Sequence, residues 1–231
     1  MQSNNQIVSA IIIAGIIIAG AVLLKDTKAP NAIIPSNSPG NLPAPSARPV
    51  TSSDHIIGNI NAKIVIVEYS DLECPYCKVF HQTMHKVVSD NSGNVAWVFR
   101  HYPIPQLHPK AFREAEATEC AWGQGGNNAF WKYTDRLFEV TPSNNRLEDS
   151  ELTNIASYVG LNLPSFNDCL SSGKYKEKVQ ADVEDGLKAG LNQPGRGTPF
   201  SLILKKGEIV DTIPGAEPYE MVKQKIDSLL K

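Results

Sequence analysis

The sequence has little charge bias and few cysteines. Twenty-two Lys and Arg stand against 24 Asp and Glu, a net charge of -2, with no basic stripe. Proteins that bind nucleic acid need such a stripe against the phosphates, so this balance argues against a nucleic-acid partner. There is no internal repeat and no recognisable dimerisation region, so a monomer is expected. Basic residues are also missing ahead of the first apolar run, where "MQSNNQ" offers only the α-amino group. Lys25 to Ser52 contains no aromatic residue. Only four residues are cysteine, and two of those lie three positions apart.

The N-terminal run Ile7–Leu24, "IVSAIIIAGIIIAGAVLL", is uniformly small and apolar. As a helix it would reach about 27 Å, close to a hydrocarbon core of about 30 Å. It is longer than a usual signal h-region and lacks a charged n-region, so an uncleaved transmembrane anchor over residues 1–24 is expected. Ala19-Gly20-Ala21 resembles a cleavage box and keeps a signal segment as the alternative. Lys25 and Lys28, just after the span, argue weakly for a cytoplasmic body. The cysteine chemistry argues the other way, for a domain held at the extracytoplasmic face of the cytoplasmic membrane. Residues 25–52 carry six prolines among Ser, Asn and Ala. Such a composition buries too little apolar surface to offset its ordering entropy and predicts a flexible tether.

From Ser53 to Lys231 the composition is that of one globular domain. "AKIVIVEY" (62–69) and "NVAWVFRHY" (94–102) read as strands, and "FSLILKK" with "EIVDTI" as a hairpin across Lys206-Gly207. A helix after the cysteines is predicted from Phe80, Met84, Val87 and Val88 on one face. Further helices are expected near 108–124, 127–140, 147–159, 174–190 and 217–230. Strands at both ends with helices between predict an α/β sheet carrying a helical insertion at about 106–190.

The paired cysteines lie in "DLECPYCKVF". Pro75 suits the first position of a helix, because its missing N–H would be unpaired there anyway. Cys74 then becomes the N-cap and Cys77 falls in the first turn. A Cys74 thiolate would face the free amides of Tyr76 and Cys77 and the positive end of the helix dipole, which lowers a thiol pKa. This geometry prepares Cys74 as the nucleophile and Cys77 as the thiol that resolves a mixed disulfide. Two other readings compete. His81 and His85 complete C-x2-C-x3-H-x3-H, but Cys74 and His85 would stand about 16 Å apart along one helix. At most Cys74, Cys77 and His81 could share an ion, exposed helix histidines are the simpler account, and no metal is assigned. A purely structural disulfide closing so small a loop would stabilise little. Cys120 and Cys169 fall in the predicted insertion. A disulfide joining two of its helices is the simplest account in an oxidising compartment, worth about 4 kcal/mol in the chain-entropy model. Two buried free cysteines are the alternative.

The segment "HIIGNINAKIVIVEYSDLECPYCKVFH" resembles the active-site region of the DsbA-like thiol:disulfide oxidoreductases, and the likeness continues through "FRHYPIPQLHPKAFREAEATECAWGQG" to "GTPF" at 197–200. The resemblance implies a thioredoxin-like fold with an inserted helical domain. It implies that Thr198-Pro199 is a cis-proline loop binding an extended substrate chain beside the disulfide. It also likens Glu68 to the family's buried acid. Independently, a carboxyl in so apolar a strand would have a raised pKa and could relay protons to Cys77. "NQPGR" before Gly197 departs from the commonest form of that loop. The expected activity is thiol:disulfide exchange, with oxidase the leading direction and reductase or isomerase the alternatives. A metal-binding or chaperone module of the same fold is the non-catalytic rival. Reduced or misfolded exported polypeptides would be the substrates, and a quinone-linked membrane protein the reoxidising partner. No cofactor is needed, because the two sulfurs carry the electrons.

Overall fold

Seven residues, Ile-Val-Ile-Val-Glu-Tyr-Ser, concentrate branched side chains that pack well on a pleated surface. In the computed structural model, which describes residues 44–231, they form β2 (Ile64–Ser70), preceded by a short β1 (His55–Ile57). Helix α1 (Pro75–Asp90) returns the chain to β3 (Val95–His101), which lies parallel to β2 in register Ile64 with Val95 and Glu68 with Phe99. Parallel neighbours need such a crossover, and a helix is its usual form. After the insertion come β4 (Phe200–Lys205) and β5 (Glu208–Pro214), then α6 (Tyr219–Leu230). The sheet order is β1-β3-β2-β4-β5, with β2–β3 its parallel pair. The β4–β5 turn takes positive φ at Lys206 (54°) and Gly207 (84°), the two-residue geometry that matches strand twist.

The strand period of two sorts β2 between two cores. Ile64 and Ile66 join Phe80, Met84, Trp97 and Phe99 on the α1 side, together with Val222 and Ile226 of α6. Val67 and Tyr69 join Val98, Ala189, Phe200 and Leu202 on the other. Glu68, two residues after Ile66, is therefore carried into the α1 side of the sheet.

The insertion comprises α2 (Ala111–Val140), α3 (Asp149–Tyr158), α4 (Leu163–Ser172) and α5 (Lys176–Gly186), which runs into a π-turn at Leu187–Leu191. The break expected between residues 124 and 127 is a kink inside α2. Gly125 (φ −137°, ψ 19°) and Gly126 (φ 61°, ψ −153°) leave helical geometry there, and the Gly126 conformation is one that only glycine adopts freely. Helix α4 was not expected from periodicity. Its signals are at its ends: Asn162 accepts from the Ser165 amide, Pro164 stands in the first turn, and Gly173 closes it at φ 64°. Cys120 of α2 and Cys169 of α4 are joined by a disulfide, Cα–Cα 5.9 Å.

Two expectations concern the N-terminal part. The membrane span over 7–24 lies outside the described residues, and among the described residues no helix is long and apolar enough to cross a membrane. The tether was expected to run to Ser52, yet residues 44–52 lie along the domain as a strap. The Ser46 amide donates to the Lys188 carbonyl at 3.0 Å, and the Arg48 amide to Asp185 Oδ1 at 2.7 Å. The Arg48 guanidinium reaches Asp182 at 2.6 Å, while Ala47 and Val50 pack on the second core. A proline-rich composition hides this, because a few long-range partners are enough to order the segment. Beneath the strap, fully buried Arg100 donates to Asp54 at 2.9 Å and Asp185 at 2.7 Å, and the Tyr69 hydroxyl donates to Asp185 at 2.5 Å.

Candidate active site

The helix begins where Pro75 predicts: Cys74 is the N-cap with extended backbone (φ −78°, ψ 123°) and Pro75 the first helical residue. Neither cysteine of the pair is disulfide-bonded, so the site is in its dithiol form. The two sulfurs meet opposite environments. Cys74 is 5% exposed, and its Sγ lies 3.4 Å from the Thr198 carbonyl oxygen. The Cys77 thiol is the main influence that holds the Cys74 pKa down at about 6. Burial opposes it, and the Cys77 amide, Thr198 and the Tyr76 amide reinforce it. No full capping hydrogen bond forms in this state. Cys77 is completely buried. Burial, then the Cys74 sulfur, then Glu68 push its thiol well above the ordinary range. The Asp71 amide donates to its sulfur at 3.4 Å.

Glu68 is fully buried, and among the described residues neither carboxyl oxygen has a hydrogen-bond partner. Burial pushes its pKa up to about 8. The nearby Ser70 and Trp97 side chains only partly offset this, and negative charge on Cys74 adds to it. At neutral pH it holds a proton, on the same side of the sheet as Cys77. Thr198-Pro199 is a cis peptide, set directly against Cys74. Beside it a shallow groove of about 390 Å³ is lined by Tyr76, Arg196, Thr198, Phe200 and Pro214. Tyr76 is 68% exposed, which leaves an aromatic face free at the mouth of the site. Cys120 and Cys169 take no part in this constellation.

Sequence reasoning missed the groups that hold the 71–74 loop. The Asp71 carboxylate accepts from the Glu73 amide (2.9 Å), the Ile104 amide (2.8 Å) and His108 Nδ1 (2.9 Å). Glu73, also buried, accepts from the Asn145 amide at 2.5 Å and the Thr141 hydroxyl at 3.4 Å. Burial and the adjoining Glu73 push Glu114 up to about 10, so it stands as a neutral acid. The acids before Cys74 in "DLEC" were the available signal; apart from the Glu73 amide, their partners lie tens of residues away. His81 also departs from expectation. It is buried rather than exposed, packed against Trp97 and Phe138 at ring separations of 5.1 and 4.6 Å.

A family model described as "Thioredoxin" matches residues 50–220. The chain belongs to the thioredoxin family. Within that family its fold is DsbA-like. It superposes on DsbA2 of Pseudomonas aeruginosa with TM-score 0.63 at 25% identity, covering 78% of this chain and 96% of that one. It superposes on BdbD of Bacillus subtilis with TM-score 0.66 at 21% identity, covering 81% and 98%. The thiol-disulfide exchange protein alpha-DsbA2 of Wolbachia pipientis gives 0.63 at 20% identity, covering 76% and 87%. Among curated proteins it is similar to the Na(+)/H(+) antiporter NhaA 1 of Mycolicibacterium vanbaalenii, 33% identical over 148 residues, which are 63% of this chain but 23% of that protein. The chain therefore matches under a quarter of the curated relatives' length, and their transport activity is no guide to this domain. A dithiol at the head of a helix, beside a cis proline in this fold, is an arrangement chemically suited to thiol–disulfide exchange.

Proposed function

We propose that this DsbA-like protein works as an oxidase, donating a Cys74–Cys77 disulfide to exported polypeptides as they fold. The observation that supports this direction is the contrast between the two sulfurs. Cys74 is held down at about 6 while Cys77 is pushed well up. A stabilised Cys74 thiolate favours the dithiol, and a disulfide less stable than its dithiol is one that is given away. A substrate thiolate attacks Cys74 Sγ, the Cys74–Cys77 bond breaks, and Cys77 leaves as the thiolate, for which Glu68 is placed to supply a proton. A second substrate thiolate then displaces Cys74, leaving the substrate oxidised and the enzyme reduced. The groove beside Thr198-Pro199 would hold the substrate as an extended segment, with Tyr76 giving apolar contact at little cost in specificity. Reoxidation would fall to a quinone-linked membrane protein, with residues 7–24 holding the domain at the outer face of the cytoplasmic membrane.

The reduction potential tests the direction, measured by equilibrating the protein with glutathione buffers. A thiol pKa near 6 lies between those of thioredoxin (about 7) and DsbA (about 3.5), so a potential between about −270 and −120 mV is expected. A value at or below about −270 mV would assign reductase work instead.

A further inference from the structure

Helix α1 carries two histidines that thiol chemistry does not use, and the structure brings them a third ligand. His81 and His85, one turn apart, aim their Nε2 atoms at the same oxygen, Oδ1 of Asp135 on α2, at 2.7 and 2.8 Å. The two Nε2 atoms are 3.2 Å from each other. We propose that His81, His85 and Asp135 form a binding site for a divalent first-row transition-metal ion of the zinc type, bridging α1 and α2. The proposal does not depend on the direction, or the existence, of the redox activity.

Three potential ligand atoms in so small a triangle are poorly served by protons alone. If both imidazoles donate to Oδ1, two N–H groups confront each other across 3.2 Å. If one nitrogen accepts from the other, its lone pair faces the carboxylate oxygen instead. Either way one edge of the triangle is unfavourable, whereas a cation at its centre satisfies all three. The size also fits. Ligands at about 2.0–2.1 Å in a tetrahedral shell stand about 3.3 Å apart, so the nitrogen–nitrogen edge already fits and the two edges to Asp135 need to open by about half an ångström. Two imidazoles and a carboxylate suit zinc-like ions rather than magnesium or calcium, which prefer all-oxygen shells. His81 is fixed by Trp97, Trp131 and Phe138, so one ligand is rigid and walled by apolar rings. The side chains of His85 (38% exposed) and Asp135 (45%) stand at the opening, which gives an ion an entry path and leaves room for water to complete the shell.

A second triad, His55, His101 and Glu119, has similar composition but no vacancy for a cation. The Lys178 ammonium already donates to Glu119 Oε2 at 2.7 Å and contacts His55 Nε2 at 3.0 Å. Among the described residues no such ammonium is bonded to His81, His85 or Asp135.

The test is Co²⁺ titration of the full-length protein, freed of metal by chelator and kept reduced with a phosphine. Binding is read by visible absorption and by quenching of Trp97 and Trp131. One Co²⁺ per chain is expected, displaced by Zn²⁺, with affinity lowered about tenfold or more in His85→Ala and in Asp135→Asn. Both variants alter half-exposed positions, and their melting in EDTA checks that they fold. The double variant Cys74→Ser, Cys77→Ser should bind as wild type. Binding unchanged in both His85→Ala and Asp135→Asn, binding lost in the cysteine variant, or no uptake by the wild type at a hundredfold excess would each overturn the proposal.

Discussion

The sheet buries Arg100 on one side and Glu68 on the other in opposite ways. On the strap side Arg100 is enclosed, but both carboxylates it meets are bonded to its guanidinium, Asp54 and Asp185, and Asp185 also accepts from Tyr69. Asp54, which burial alone would raise, is kept below the ordinary carboxylate range by Arg100. On the α1 side Glu68 has no partner among the described residues, and Cys77 beside it is held as a thiol. A paired buried charge stays charged and fixes structure. An unpaired one keeps its proton and can pass it on. In Glu68 the second arrangement stands beside the reacting sulfurs.

The largest effect should come from breaking the paired side. Arg100→Met would strand Asp54 and Asp185 in the interior and cost about 3–5 kcal/mol in denaturant unfolding, while the Cys74 alkylation midpoint stays near 6. Glu68→Gln should do the reverse. The folded pKa of about 8 lies above the ordinary 4.5, so the folded state binds the extra proton between those values and stability falls as pH rises through that window. The variant should be more stable than wild type by about 1–3 kcal/mol at pH 7 and equal to it below pH 4.5, with thiol exchange slowed about tenfold or more if the relay operates. Next in size is Cys77→Ala. Losing the largest influence on Cys74 should move its iodoacetamide midpoint up from about 6 by about 1 pH unit or more. The smallest effect is expected at the rim of the ion network. Arg48 is 36% exposed, so Arg48→Ala should cost no more than about 1 kcal/mol while loosening the strap in hydrogen exchange.

The same contrast explains what could be read from the chain beforehand. The expected strands 62–69 and 94–102 match β2 and β3 to within two residues, because branched runs carry their own signal. Cys74 as N-cap followed from Pro75 one residue on. Groups that act through distant partners left no local trace. Asp135 lies 50 residues beyond His85, Asp185 137 beyond Arg48, and Asn145 72 beyond Glu73. Helix α4 was legible only at its caps, since its buried face rests on Phe166 and Leu170 alone, too few to establish a period.

The strap has a mechanical consequence. Tension arriving along the chain from residue 43 enters the domain at Ser46 and Arg48, where the anchoring groups are the Lys188 carbonyl, Asp182 and Asp185. These groups belong to α5 and its π-turn, and Ala47 and Val50 load the core on the sheet face away from α1. The load on the strap therefore falls on the sheet face away from the cysteine-bearing helix.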